Sequence, residues 1–272
     1  MECQKIESGF TRRPAGSKRF ALLACEVLYR EICALLPSCL HTVDVVWLSQ
    51  GLHDLGGEKM AAAIQKAIDA LPPGRYDAVL LGFALCNNGV IGLVCPHAPM
   101  VIPKAHDCIA LFLGSRQRYR EYFDAHPGTF YLTTGWMERD DSKPTGAEEQ
   151  THQHQMGLDM TWDEMVRKYG AENARFLRET LGNMTAHYSR LAYIAMPYDR
   201  DLGFEAEARQ AAADKGWEFE RLQGDLGLLA RLVNGQWDDD MAVVQPGQTL
   251  APTYDAAVLC ARCAGAAAAA RR

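Results

Sequence analysis

From Tyr76 to Leu85 the chain reads YDAVLLGFAL, almost without polar interruption. A strand of this kind has no face to give to water, so it predicts a central strand of a parallel sheet, covered on both sides. The flanking sequence agrees. FALLA leads into EVLYREICALL, where Val27, Leu28, Ile32, Leu35 and Leu36 fall at helical spacing before Pro37 ends the run. HTVDVVWLS reads as the second strand and EKMAAAIQKAIDAL as the second helix, stopped by Pro72-Pro73-Gly74. Beyond the central run, Met100 to Lys104 is a fourth strand. Asp107 then opens a helix through CIALFLGSRQRYREYF, and Pro127-Gly128 turns into a fifth strand, GTFYLTT. This βαβα alternation predicts an α/β protein with a mostly parallel, doubly wound, Rossmann-like sheet.

The character changes at Arg139 to Gln155, a polar stretch with no apolar period that reads as a loop or lid. Thr161 to Tyr188 follows as one long helix or two short ones, with Trp162, Met165, Val166, Phe176 and Leu177 on its apolar face. LAYIAM with FEAEARQAAADKG, and WEFERLQ with DLGLLARLVNGQ, are two further β–α steps, closed by MAVVQPG. The second half either extends the first sheet or forms a second, pseudo-similar lobe. The expected division is residues 1–145 as an α/β lobe carrying the Cys/His cluster, 146–260 as a helical insert with a second α/β lobe, and 261–272 as a low-complexity tail.

A net charge of -6 argues against a nucleic-acid partner, since Arg12, Arg13, Lys18 and Arg19 form only a small basic cluster. No apolar stretch is long enough to span a bilayer, and the first residues lack the apolar core of a secretory signal. A cytoplasmic location is the expectation, with a small-molecule substrate and no membrane partner. Nine cysteines without an export signal do not read as a disulfide framework. Cys33 and Cys39, on or beside an apolar helix, are expected to be small core residues. Cys260 and Cys263 form an isolated C-x-x-C. There is no G-x-G-x-x-G, Walker loop or H-E-x-x-H, so simple nicotinamide, nucleoside-triphosphate and zincin readings fall away.

What remains is the chemistry at the strand ends, because open α/β sheets bind ligands beyond the carboxyl ends of their strands. FALLA runs into Cys25-Glu26, where a helix start would favour a thiolate. The central run ends in Cys86-Asn87-Asn88-Gly89, a turn with positive φ that lets backbone approach a ligand, so Asn87, Asn88 and Gly89 are expected cofactor contacts. MVIPKA ends in His106-Asp107-Cys108. Asp107 there is a natural N-cap, the bland reading, and His106 and Cys108 flank the strand end. Zinc prefers thiolate and imidazole, so Cys25, Cys86, His106 and Cys108 are the expected metal ligands, with Glu26 and Asp107 as proton-handling or orienting groups. Ser115, with Arg116, Arg118 and Arg120, adds an anion-friendly patch, although Arg118 and Arg120 also suit a solvated helix face. Cys95-Pro96-His97 is a second chelate-like pair. Cys25, Cys86, Cys95 and Cys108 would make an iron–sulfur set, against which the lack of a clustered C-x-x-C run counts.

The stretches ACEVLYRE, GFALCNNG, PKAHDCIALFLGS, PGTFYLTTGW and VVQPGQ resemble a domain-of-unknown-function family of anaerobic bacteria and methanogenic archaea. Members of that family often accompany corrinoid-dependent methyltransferase systems. The resemblance implies one-carbon or methylamine metabolism, with zinc as thiol-activating metal and a corrinoid reached through a partner protein. The chain itself lacks the usual Asp-x-His-x-x-Gly corrinoid signature. The expected function is a zinc-dependent enzyme of methyl-transfer type acting on a small methylated or one-carbon substrate. The alternative is a non-catalytic metal or corrinoid binding or chaperone module.

Overall fold

The computed structural model describes residues 16–139, 166–167, 170–175, 187–199, 202–253, 255 and 257–263. The polar stretch after Arg139, most of the helix predicted over 161–188, Cys3, the Arg12-Arg13 pair and the tail beyond 263 lie outside them.

The apolar runs form a five-stranded sheet of order β2-β1-β3-β4-β8. β1 (Arg19–Cys25) lies between β2 (Thr42–Leu48) and β3 (Ala78–Gly82), and β3 pairs with β4 (Met100–Pro103), all parallel. Every residue of β3 and β4 is buried, as the unbroken apolar runs require. Gly82 lets β3 sit close to β1, because a Cβ there would lie 2.7 Å from the Cβ of Ala24. A 3-10 turn (Glu26–Leu28) follows β1 and leads into α1 (Tyr29–Leu35), while α2 (Gly57–Asp69) buries Met60, Ile64 and Ile68 at helical spacing. After β4 come α3 (Ile109–Phe112) and α4 (Arg116–Ala125).

Two features depart from a single extended sheet. β5 (Thr129–Thr133) does not join β4. After α5 (Thr134–Glu138) it pairs in parallel with β6 (Arg190–Ala195), which pairs with β7 (Glu218–Gln223), giving a separate three-stranded sheet. The Leu191, Tyr193 and Ala195 side chains of that sheet pack with Ala208 and Ala212 of α6 (Phe204–Lys215) as a small core of their own. The chain then returns. α7 (Gly227–Val233) packs on β3, β4 and α1, and β8 (Met241–Val244) closes the first sheet antiparallel to β4. Its direction follows from where it starts: the Asp240 carbonyl accepts the Lys104 N–H at the carboxyl end of β4, so β8 can only run back. Strand membership therefore crosses residue 145 both ways, β5 going to the second sheet and β8 to the first.

One cysteine expectation changes. Cys33 is exposed, not in the core, because α1 turns Glu31 and Ile32 inward and the next position outward. Cys260 and Cys263 lie on β10 (Leu259–Cys263), antiparallel to β9 (Gln248–Pro252). Residues three apart on a strand point to opposite faces, so this C-x-x-C is not a redox pair.

The two sheets meet at their carboxyl ends. α5, which follows β5, packs on the 3-10 turn that follows β1. Gly135 makes this contact, and a Cβ there would overlap the Val27 carbonyl oxygen. Arg30 of α1 pairs with Glu138 of α5, and Thr133 Oγ1 accepts the Trp136 N–H at 3.2 Å to cap α5. Gly135→Ala is therefore expected to destabilise by about 1–3 kcal/mol through overpacking against backbone. Gly51→Ala, whose Cβ would meet only Ser49 Oγ at 3.6 Å, should stay within about 0.5 kcal/mol in the same urea titration. Equal midpoints for the two variants would show that the junction is loose.

Candidate functional site

β1 delivers Cys25 to the carboxyl edge, where its Sγ lies 3.6 Å from Nε2 of His53. His53 rides on a 3-10 segment (Gln50–Leu55) that follows β2. From the end of β4, Cys108 accepts a hydrogen bond from Trp136 Nε1 of α5 at 3.4 Å, and the Trp136 and His53 rings are 5.8 Å apart. Past β3, the Cys86 N–H donates to the His106 carbonyl at 3.0 Å. The three thiols are electrostatically coupled: charge on Cys86 raises Cys25, and charge on either raises Cys108. Burial is the larger cause, pushing Cys25 and Cys86 up to about 12 and Cys108 well above the ordinary thiol value. The helix-start argument for a Cys25 thiolate is thus reversed. Only a three-residue 3-10 turn follows the cysteine, and the Val27 backbone contact that lowers its pKa is outweighed by desolvation.

The turn after β3 has positive φ at three consecutive residues, Cys86 (36°), Asn87 (53°) and Asn88 (64°). Asparagine tolerates this region; a cysteine there is strained by roughly 1 kcal/mol or more. Gly89 is needed for a different reason. A Cβ would strike the Met60 sulfur of α2, so the turn is pressed against that helix. Asn87 and Asn88 are exposed.

The remaining expected residues take specific places. Glu26 Oε1 accepts the Gln50 N–H at 2.8 Å, which fixes the start of the segment carrying His53. The N-cap of α3 is Cys108 rather than Asp107, whose Oδ1, one residue earlier, accepts the Ile109 N–H at 3.0 Å while its Oδ2 accepts the Tyr119 hydroxyl proton at 2.7 Å. Burial raises the Asp107 carboxyl against the lowering effect of those bonds. Ser115 Oγ accepts the Arg118 N–H at 3.3 Å and so caps α4. Arg118 is not on a solvated face, since its guanidinium donates to the Leu113 and Gln223 carbonyls at 3.3 and 2.6 Å. His106 is exposed, and its side chain lines an open cleft of about 450 Å³ with Lys104 and Asp107 on one wall. Tyr119, Arg120 and Phe123 of α4 form the other. Cys95 sits elsewhere, beside Ile68, Tyr76 and Val79, so it does not join the other thiols. Among the described residues, no three His, Cys, Asp or Glu side chains are arranged to hold a metal ion.

Sequence reasoning passed over His53 and Trp136, which contact Cys25 and Cys108, and Glu31, a buried carboxylate of α1. Glu31 is 1% exposed, with Tyr198 and Asp199 beside it at the junction of the sheets. Asp199 Oδ2 accepts the Met196 N–H at 2.9 Å and the Thr134 hydroxyl at 3.0 Å, tying β6 to α5. Burial lifts the Glu31 carboxyl to about 7, and the Asp199 charge adds to the rise.

The chain belongs to the family described as "Protein of unknown function (DUF1638)", whose profile matches residues 47–233. No curated protein and no solved structure matches it. No helix among the described residues is long and apolar enough to cross a membrane.

Two measurements test this electrostatic picture. A folded-state pKa of about 7 against an ordinary 4.5 means the folded state holds the Glu31 proton where the unfolded state has lost it, so stability falls as pH rises from about 4.5 to 7. Glu31→Gln should flatten that part of the pH–stability curve and stabilise at pH 8 by roughly 1–3 kcal/mol; an unchanged slope would assign it to other groups. In metal-free protein at pH 8, iodoacetamide should label exposed Cys33 while Cys25 and Cys86 react roughly a thousandfold more slowly than a free thiol, because the thiolate is the nucleophile. Peptide mapping that finds all three labelled alike would refute the desolvation.

Proposed function

We propose that this DUF1638 protein is a zinc-dependent enzyme working on a small methylated or one-carbon substrate, with Cys25, Cys86 and Cys108 as thiolate ligands. The observation that carries the reading is the His53 imidazole 3.6 Å from the Cys25 sulfur, beside two further thiols in electrostatic reach, which would have to draw together to hold an ion. Thiolate and imidazole are the donors zinc prefers, and His53 would supply the imidazole, with His106 on the cleft side as the other candidate. When bound, zinc would act as a Lewis acid or lower the pKa of a bound thiol or water. The chain's own groups would do the rest. Trp136 and α5 exclude water, Glu26 positions His53 through the Gln50 N–H, and the Asp107–Tyr119 pair holds or moves a proton beside Cys108. The substrate class rests on the family resemblance, as does a corrinoid protein as partner. A cytoplasmic setting, which keeps thiols reduced, belongs to the same proposal, as does the reading of the two sheets as Rossmann-like lobes meeting at their carboxyl edges.

The placement of Glu26 favours a second reading. Its carboxylate accepts a backbone N–H of the His53 segment, the work of a cap, which suits a non-catalytic module that holds a metal or corrinoid for a methyltransferase system. Elemental analysis of purified variants tests what the two readings share. Cys86→Ala, Cys108→Ala and His53→Ala should each lower zinc well below one equivalent, and Cys33→Ala should leave it unchanged. Loss in His106→Ala but not His53→Ala would move the imidazole to the cleft side. Equal zinc in all variants would make the thiols structural. With metal retained, loss of turnover in Asp107→Asn would favour the enzyme over the module.

A further inference from the structure

The cleft beyond β4 is separate from the thiols and has its own chemistry. Its volume of about 450 Å³ is in the range of small-molecule sites. Although the chain is acidic overall, three cationic side chains line it: Lys104, Arg116 and Arg120. Arg116 is taken up by Asp240, its Nε and guanidinium nitrogen lying 2.9 and 2.8 Å from Oδ1. The other two keep charge to offer. Lys104 Nζ donates to the backbone carbonyl of Asp239 at 3.0 Å, and Arg120 pairs with Asp124 only loosely, at 3.6 Å with both side chains largely exposed. His106 adds an exposed imidazole. Two carboxylates also line it, Asp107, held by the Ile109 N–H and the Tyr119 hydroxyl, and Asp124, the partner of Arg120, and the remaining wall is largely apolar. Phe123 is 49% exposed, stacked edge-on to Tyr119, and Val258 and Ala110 lie opposite. An exposed phenyl ring beside cations with charge to offer matches a ligand with one anionic end and an apolar body.

We propose that this cleft binds a small organic carboxylate, its charge held by Lys104 and Arg120 and its apolar body laid on Phe123 and Val258. Charge-assisted hydrogen bonds to a carboxylate supply orientation, and the partly desolvated wall supplies affinity. Asp107 lines the same cleft and directly precedes Cys108 in the chain, which itself does not line it. That the occupant is the substrate of the thiol site rests on the function proposed above; that it binds does not.

The test is calorimetry on the full chain with phenylacetate, its neutral isostere phenylacetamide, and inorganic phosphate. Phenylacetate should bind at least tenfold more tightly than either. Lys104→Met and Arg120→Met should each weaken phenylacetate about tenfold and leave zinc content unchanged. Phe123→Ala should weaken phenylacetate and leave phosphate alone. Equal binding of acid and amide would overturn the anionic part, and phosphate binding as tightly as phenylacetate would overturn the apolar part. Cys86→Ala and Cys108→Ala should keep phenylacetate binding while losing zinc. Failure of the cleft and failure of the metal site would therefore appear in different variants.

Discussion

The carboxyl ends of β1 and β5 are joined by a close contact, that of Gly135 in α5 with the Val27 carbonyl. Only a residue without a side chain allows it. Beside it Trp136 donates to Cys108, the Arg30–Glu138 pair crosses the same joint, and Glu31 of α1 is buried. The second sheet has a small core of its own, but Ile194 and Met196 at the end of β6 enter the main core. The junction is therefore packed rather than hinged on a linker. Low dielectric at this place is a property of the fold, and the thiols inherit it.

That inheritance decides what the thiols can do. Moving a thiol from an ordinary value near 9 to about 12 disfavours its anion by roughly 4 kcal/mol. Three anions in mutual electrostatic reach would cost more again. Left alone, the cluster is a set of neutral, unreactive thiols. Under the zinc reading proposed above, a divalent cation would invert the balance, because its charge in the same low dielectric would offset desolvation and repulsion together. The strained turn at Cys86 fits the same logic, since its φ of 36° is a conformation that cysteine does not choose for itself.

The sequence carried the strands well and their directions poorly. YDAVLLGFAL could only be a central strand, and β1 to β4 are parallel as expected. MAVV was legible as a strand, but an apolar run has no arrow, and its antiparallel pairing depends on where α7 leaves the chain. β5 looked like the next strand of one sheet because nothing in GTFYLTT names its neighbour. The thiols were found because each follows a strand, which is a local pattern. His53 was not, since LHDL between β2 and α2 carries no motif and its ring reaches Cys25 only through tertiary packing. Cys33 was misplaced because α1 buries a glutamate, which an apolar-period reading treats as a surface residue.

The tripeptide His106-Asp107-Cys108 joins the two parts of the site. After β4 the backbone leaves the sheet, and consecutive side chains no longer alternate between two fixed faces as they would in a strand. His106 and Asp107 open to the cleft, while Cys108 turns to Trp136 and the other thiols. The Asp107 carboxylate is held by the Ile109 N–H and the Tyr119 hydroxyl, so it has one orientation rather than several. The carboxylate is thereby fixed at the edge of the cleft, in electrostatic reach of Cys86 and Cys108. Tyr119 completes the link, because its ring lines the cleft and its hydroxyl is the group that holds Asp107. Anything that packs against that ring therefore acts on the hydrogen bond that orients the carboxylate. Asp107, its Tyr119 partner and Cys108 thus stand within one short stretch of structure between the cleft and the thiols.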